Sequence, residues 1–185
     1  MDRTGSVVPS RTNLVTSVLP NRSAGVIPGF TPQTVSIPSL IPVDGAHLTS
    51  EFGMRWHPVL GGRRQHKGVD LAAAAGTPIH AAADGMVSRA DWYSSYGLYV
   101  SLEHGGNFET RYGHMARLNV AAGQMVRKGD VIGYVGTTGR STGPHLHYEV
   151  RIAGEAVNPI PYLQNGRIER AAPASVLAIA GSDEQ

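Results

Sequence analysis

Three stretches of this chain gather side chains able to hold a metal ion or to move a proton. QHKGVDLAA (65–73) sets His66 and Asp70 four residues apart, STGPHLHYEV (141–150) sets His145, His147 and Glu149 at intervals of two, and RYGHMARL (111–118) brings His114 just after Tyr112 and Gly113. A β-strand turns successive side chains to opposite faces, so in 145–150 the two imidazoles and Glu149 share one face, and Leu146, Tyr148 and Val150 the other. The apolar trio is the face a core would take, which leaves two histidines together on the opposite one. His66 and Asp70 fall on one face in either an extended strand or a helix, and Gly68 and Val69 between them favour the extended form. With 8 histidines and 7 aspartates in 185 residues, a His four before an Asp arises about 0.3 times by chance, so this pair gains weight only from its company. A surface histidine beside a turn aspartate is its bland alternative. Glu149, on the same strand face as His147, could stand behind an imidazole and fix its tautomer, but a plain surface glutamate is the favoured reading, and it stays outside the candidate site.

The chain contains no cysteine. Thiolate zinc fingers, iron–sulfur clusters, disulfide scaffolds and cysteine nucleophiles are therefore excluded, and a metal here must use imidazole and carboxylate. Catalytic zinc takes three such protein ligands and keeps a fourth position open. His66, Asp70 and one histidine of the H-x-H pair supply that set. No H-E-x-x-H sequence occurs, so no glutamate of that motif takes the proton from an attacking water. The remaining histidine of the pair and His114 are the groups left for that work.

Such residues need strands beneath them. YGLYVSLEH (96–104) alternates with Leu98, Val100 and Leu102 on one face. Turn signals recur at Gly61-Gly62, Ala83-Asp84-Gly85, Gly105-Gly106-Asn107, Lys128-Gly129-Asp130 and Thr142-Gly143-Pro144. Neither ADWYSS (90–95) nor the alanine run 72–75 is amphipathic over three helical turns, and the expected fold class is all-β.

A length of 185 residues accommodates one full domain with extensions. Apolar residues at 41% against 16% charged exclude a wholly disordered chain. Residues 1–40, with five prolines and no histidine, read as an extended or partly disordered lead. Residues 41–163 hold all eight histidines, all seven tyrosines and both tryptophans and form the folded domain, and 164–185 form a small-residue tail. A net charge of +2 gives no dedicated nucleic-acid face. No apolar run approaches the roughly 20 residues of a membrane span, and no signal-peptide core follows Met1, so an exported protein would be represented here in a trimmed or mature form.

The order H-x-x-x-D, then Y-G-H, then G-P-H-L-H resembles the lysostaphin/LytM-type zinc metallopeptidases, bacterial cell-wall endopeptidases. The resemblance takes in LTSEFGMRWHPVLGGRRQHKGVDLAAAAGTPIHAAADGMV (48–87) and GQMVRKGDVIGYVGTTGRSTGPHLHYEV (123–150), within residues 42–163. It implies a compact antiparallel β-sandwich-like domain with a narrow zinc-containing cleft. It also implies one Zn2+ per chain held by His66, Asp70 and His147, with His114 and His145 as the catalytic pair. The implied substrate is peptidoglycan, cut in its stem peptides or cross-bridges. D-alanyl-diaminopimelate links are favoured over glycyl-glycine bridges, because the sequence has no recognisable wall-binding domain. The implied location is periplasmic or secreted.

Arg55, Arg63, Arg64 and Tyr96 fall in blocks near the implied cleft, within reach of anionic stem peptides, although solvated surface arginines are the plainer reading. A biotinyl- or lipoyl-type carrier, which GQMVRKGDVIGYVG also resembles in part, needs a hairpin lysine that neither Lys67 nor Lys128 provides. A non-catalytic relative that regulates cell-wall amidases is the main alternative, and the intact ligand set argues against it. The lead offers one further possibility, docking within the same molecule into the cleft, with Asn13, Asn21 or Gln33 as donors.

Overall fold

The computed structural model of the chain describes residues 34–56, 61–163 and 169–170. Residues 1–33 of the expected 1–40 lead and most of the expected 164–185 tail lie outside these. In chain order the strands are β1 (His47–Ser50), β2 (Gly53–Trp56), β3 (Arg63–His66), β4 (Val69–Ala72), β5 (Pro78–His80), β6 (Gly85–Trp92) and β7 (Leu98–Glu103). They continue as β8 (Phe108–Leu118), β9 (Met125–Val126), β10 (Val131–Val135), β11 (His145–Ile152), β12 (Glu155–Val157) and β13 (Glu169–Arg170). The all-β expectation holds, with only the short 3-10 turns Ser94–Tyr96 and Ile160–Tyr162 besides strands among the described residues.

Eleven strands share one sheet. Its main path runs β13-β1-β4-β11-β8-β7-β6-β9, with β10 joined to β8 and β5, and β12 joined to β11. Every pairing is antiparallel except β1 with β13. β2 and β3 form a separate two-stranded arm.

Period-two alternation decides what each central strand buries. In β4, Val69 and Leu71 are fully buried while Asp70 faces the other way; in β11, Leu146, Tyr148 and Val150 are fully buried. These join Val100, Leu102, Tyr112, Met115, Ile132 and Val135 in one core cluster, each apolar side chain contributing about 1.5–3 kcal/mol on burial. β7 departs from simple alternation, because Tyr99 and Ser101 are buried along with Val100 and Leu102. The chain leading into β1 lies against the same body: the Ser36 N–H donates to the His104 carbonyl at 2.8 Å, and the N–H groups of Ser39 and Leu40 donate to that of Ala82 at 3.1 and 3.3 Å.

One polar atom in this core lacks a partner. The Tyr148 hydroxyl is buried with no hydrogen bond among the described residues, while its ring packs on Tyr112 with centroids 5.3 Å apart. A buried unsatisfied hydroxyl costs about 1–3 kcal/mol and the ring contact does not need it. Tyr148→Phe is therefore expected to raise the Tm measured by calorimetry; a fall in Tm would show that the hydroxyl has a partner.

Candidate functional site

The sheet places the chemistry through register. Asp70 on β4 lies directly across from His147 on β11, and His147 lies across from Gly113 on β8. Directly opposed residues of adjacent strands point their side chains to the same face, so Asp70 and His147 meet on the side opposite the core. His66 arrives from β3, at the end of the separate arm. Between it and Asp70 the backbone at Gly68 passes so close to β11 that an added Cβ would stand 2.3 Å from the Tyr148 carbonyl oxygen. Only glycine lets the turn lie flat enough to bring His66 over Asp70.

Three atoms converge as a result. His66 Nε2 lies 3.1 Å from Asp70 Oδ1 and 3.1 Å from His147 Nδ1, and His147 Nδ1 lies 3.0 Å from Asp70 Oδ1. Ligands at about 2.0–2.1 Å around a tetrahedral zinc stand about 3.3 Å apart, close to this triangle. The protons of both rings are committed elsewhere. His66 Nδ1–H donates to the Glu51 carbonyl at 2.8 Å, and His147 Nε2–H donates to Glu149 Oε1 at 3.0 Å. The nitrogens that face each other are then bare lone pairs beside a carboxylate, an arrangement that calls for a cation. Without a metal that cation is a proton. Burial opposes charge on His147, but Asp70 and Glu149 overcome it and raise its pKa to about 9. Burial likewise opposes charge on Asp70, yet His147 and His66 hold its carboxyl well below the usual carboxylate range. The second oxygen, Asp70 Oδ2, takes a contact from Arg55 Nη2 at 3.4 Å, leaving Oδ1 to the triangle.

Glu149 departs from expectation. Read from sequence as a surface glutamate, it is completely buried. Its Oε1 accepts from His147 and from the Tyr96 hydroxyl at 2.6 Å, and its Oε2 accepts from Arg151 Nη1 at 2.7 Å. Burial works to raise its pKa and these donors prevail, holding it at about 2. The ring of Tyr96, carried by the turn at 94–96, stands 5.5 Å from that of His147 and covers this part of the strand face. The sequence did carry a signal, since the H-x-H alternation continues into Glu149 and Arg151.

His114 reaches the same face by an irregularity. Tyr112 points into the core, so simple alternation would send His114 there too. Leu98 pairs with Met115 and Val100 with Tyr112, so β8 carries one more residue than β7 across this interval. That is a β-bulge at Gly113–His114, and His114 adopts a left-handed φ of +62°. The bulge turns the imidazole toward the cleft, where its ring stands 4.7 Å from that of His145. Its Nδ1–H donates to the Thr138 carbonyl at 2.8 Å, and burial pushes its pKa down to about 4, so the ring is neutral at neutral pH with Nε2 bare. His145 Nδ1–H donates to the Gly143 carbonyl at 2.8 Å, and its Nε2 stands 3.8 Å from Asp70 Oδ1.

All five residues singled out by sequence thus border one cleft of about 790 Å³. Its floor holds Asp70, His114, His145, His147 and Glu149; one wall carries Arg55, Arg64, His66 and Lys67, the other Ser95, Tyr96, Arg140 and Ser141. Of the cleft-side arginines expected from sequence, Arg55 and Arg64 line it, as does Tyr96, whereas Arg63 is not among the lining residues. Lys67 and Arg140 line it without having been singled out. Neither belongs to a recognisable motif, and only the fold brings them to the rim.

Known proteins resemble this chain in both sequence and fold. Residues 64–159 match the model of peptidase family M23. The chain is 48% identical over 119 residues to the DD-carboxypeptidase/endopeptidase Mpg of Neisseria meningitidis serogroup B, covering 64% of this chain and 27% of the relative. It is 43% identical over 119 residues to the peptidoglycan DD-endopeptidase ShyC of Vibrio cholerae, covering 64% and 28%. The chain thus spans little more than a quarter of the length of the curated relatives it matches. Among solved structures, a zinc-containing peptidase from Vibrio cholerae superimposes with a TM-score of 0.63 at 35% identity, covering 71% of this chain and 40% of that one. The catalytic domain of lysostaphin from Staphylococcus simulans does so with a TM-score of 0.60 at 32% identity, covering 65% and 93%.

The hydrogen bonds around the triangle carry a measurable consequence. Removing the partner that orients a metal-binding imidazole typically costs 10- to 100-fold in metal affinity. Glu149→Ala is expected to weaken zinc binding by about that factor, and His114→Ala to leave it unchanged, in a competition titration with a chromophoric chelator. Unchanged affinity in Glu149→Ala would refute the orienting role.

Proposed function

This chain belongs to peptidase family M23, and from that footing we propose that it is a zinc-dependent metalloendopeptidase acting on peptidoglycan cross-links, with D-alanyl-diaminopimelate links preferred over glycyl-glycine bridges. The observation that carries the proposal is the triangle of His66 Nε2, Asp70 Oδ1 and His147 Nδ1, whose 3.0–3.1 Å sides suit one tetrahedral ion. His66, Asp70 and His147 hold one zinc per chain. When bound there, zinc supplies Lewis acidity, polarising the scissile carbonyl and bringing the pKa of water down from 15.7 toward about 7.

The rest of the chemistry falls to the protein. His114, neutral and bare at Nε2, and His145, tied at Nδ1 to the Gly143 carbonyl, share two tasks. One takes a proton from the attacking water on its bare Nε2 and passes it to the leaving amine, and the other, when it carries a proton on Nε2 as well as on Nδ1, donates a hydrogen bond to the oxyanion that develops on the carbonyl. The Thr138 and Gly143 carbonyls fix both rings in the tautomer that puts Nε2 to use. The cleft shape supports a peptide laid across the floor, and the peptidoglycan DD-endopeptidase name of ShyC supports the D,D preference. Peptidoglycan lies outside the cytoplasmic membrane, so the proposed place of action is the periplasm or the exterior. No helix of the described residues is long and apolar enough to cross a membrane.

The test combines zinc content with release of soluble fragments from purified sacculi. Zinc near one per chain with release is expected, and His114→Ala and His145→Ala should each lower kcat by about a hundredfold or more with zinc retained. Full activity of zinc-loaded His145→Ala would overturn its role, and zinc without release would overturn the endopeptidase reading.

A further inference from the structure

The cleft carries more positive charge than its metal chemistry requires. Arg55, Arg64, Lys67 and Arg140 line it against only two carboxylates, Asp70 and Glu149. Neither carboxylate is free to answer them. Asp70 belongs to the metal triangle, and Glu149 is buried under His147, Tyr96 and Arg151.

Elsewhere in the described residues Arg89 pairs with Asp91, Arg111 with Glu109 and Arg151 with Glu149, and Arg117 lies over the Tyr134 ring, while Arg63 and Arg127 extend singly into solvent outside the cleft. Arg55 at least reaches Asp70. Arg64, Lys67 and Arg140 are exposed, and among the described residues their side chains make no hydrogen bond or ion pair. Three unpaired cations around a concave site leave it electrostatically incomplete, and an anionic ligand completes it.

Arg140 is also held in place. Its N–H donates to the Ser95 carbonyl at 2.8 Å. The preceding Gly139, at φ +72°, lies so close to the 94–97 turn that a Cβ would stand 2.4 Å from the Gly97 nitrogen. The same loop supplies the Thr138 and Gly143 carbonyls that hold His114 and His145. Whichever of these imidazoles protonates the leaving amine, that amine departs on the loop side of the floor. Arg140 is the one cation of that loop that lines the cleft.

We propose that Arg140 is a specificity-determining residue that binds the free α-carboxylate of the residue on the amine side of the scissile bond, with Arg64 and Lys67 making the opposite wall attractive to the acidic stem. This rests on the endopeptidase reading and adds what the substrate must carry. In a D-alanyl-diaminopimelate link the amine-side residue has a free carboxylate next to the bond that is cut. A C-terminal D-alanine has one in the same place, whereas an internal glycine bridge has none. A guanidinium meets a carboxylate through paired, charge-assisted hydrogen bonds, a geometry that lysine does not reproduce.

The test uses the zinc-loaded protein and two soluble cross-linked muropeptide dimers. One has the free diaminopimelate carboxylate beside the scissile bond, and in the other that carboxylate is amidated. Wild-type protein is expected to show a KM at least tenfold higher for the amidated dimer. Arg140→Gln should raise KM for the acidic dimer about tenfold, with the amidated one unchanged within twofold and kcat changed less than threefold, on the scale of a lost charge-assisted contact. Arg140→Lys should recover part of the loss, and Arg89→Gln, outside the cleft, should recover the wild-type pattern in full. Equal KM for the two dimers, or equal loss on both in Arg140→Gln, would overturn the assignment. If the zinc-loaded protein cuts neither dimer, the endopeptidase reading is what fails. Calorimetric binding of the uncross-linked tetrapeptide, acid against amide, then decides the carboxylate site separately: tighter binding of the acid supports it, and equal binding overturns it.

Discussion

Lone pairs that face one another at hydrogen-bond distance without a proton between them repel. His66 Nε2, His147 Nδ1 and Asp70 Oδ1 stand in that relation, 3.0–3.1 Å apart, because the N–H groups of both rings are spent on the Glu51 carbonyl and on Glu149. The fold holds them together only with a cation among them, whether a proton on His147 or a metal ion. The rest of the site depends on this constraint. It explains why a glutamate is fully buried beneath the sheet face and why an arginine stands behind the second oxygen of Asp70. It also explains why the turn at Gly68 has no room for a side chain.

Two devices of β-structure build the rest. Antiparallel register sets Asp70 opposite His147, so two strands far apart in sequence deliver their functional side chains to one spot. The bulge at Gly113–His114 then breaks alternation where a residue two places after a core tyrosine has to face the cleft instead. A left-handed φ at a non-glycine residue is strained, and such strain persists where the surroundings overdetermine it. Here the hydrogen bond to Thr138 and the packing of Tyr96 over Gly113 provide that support.

Much of this is legible in the amino-acid sequence. Alternation in 145–150 correctly divides His145, His147 and Glu149 from Leu146, Tyr148 and Val150, and the absence of cysteine restricts any metal to imidazole and carboxylate. Choosing His147 over His145 at the triangle is not legible in the same way, because both share a face and only the pairing with β4 separates them. The burial of Glu149 escapes a reading by residue type, since it follows from Tyr96 and Arg151 closing over it. The role of the Y-G-H sequence is similarly hidden, since a bulge is a property of two strands and cannot be read from one. Lys67 and Arg140 line the cleft from two turns, 66–69 and 136–144, that are far apart in sequence and that only the fold brings to one site.

The central claim is that second partners choose which ring nitrogen of each histidine faces the metal. Nitrogen-15 and proton NMR of the zinc-loaded protein tests it most directly, by locating the ring proton and the coordinated nitrogen of each imidazole. The account predicts His66 coordinated through Nε2 with its proton on Nδ1, and His147 coordinated through Nδ1 with its proton on Nε2. A zinc-loaded protein with the His147 proton on Nδ1, or with either ring unaffected by zinc, would contradict it.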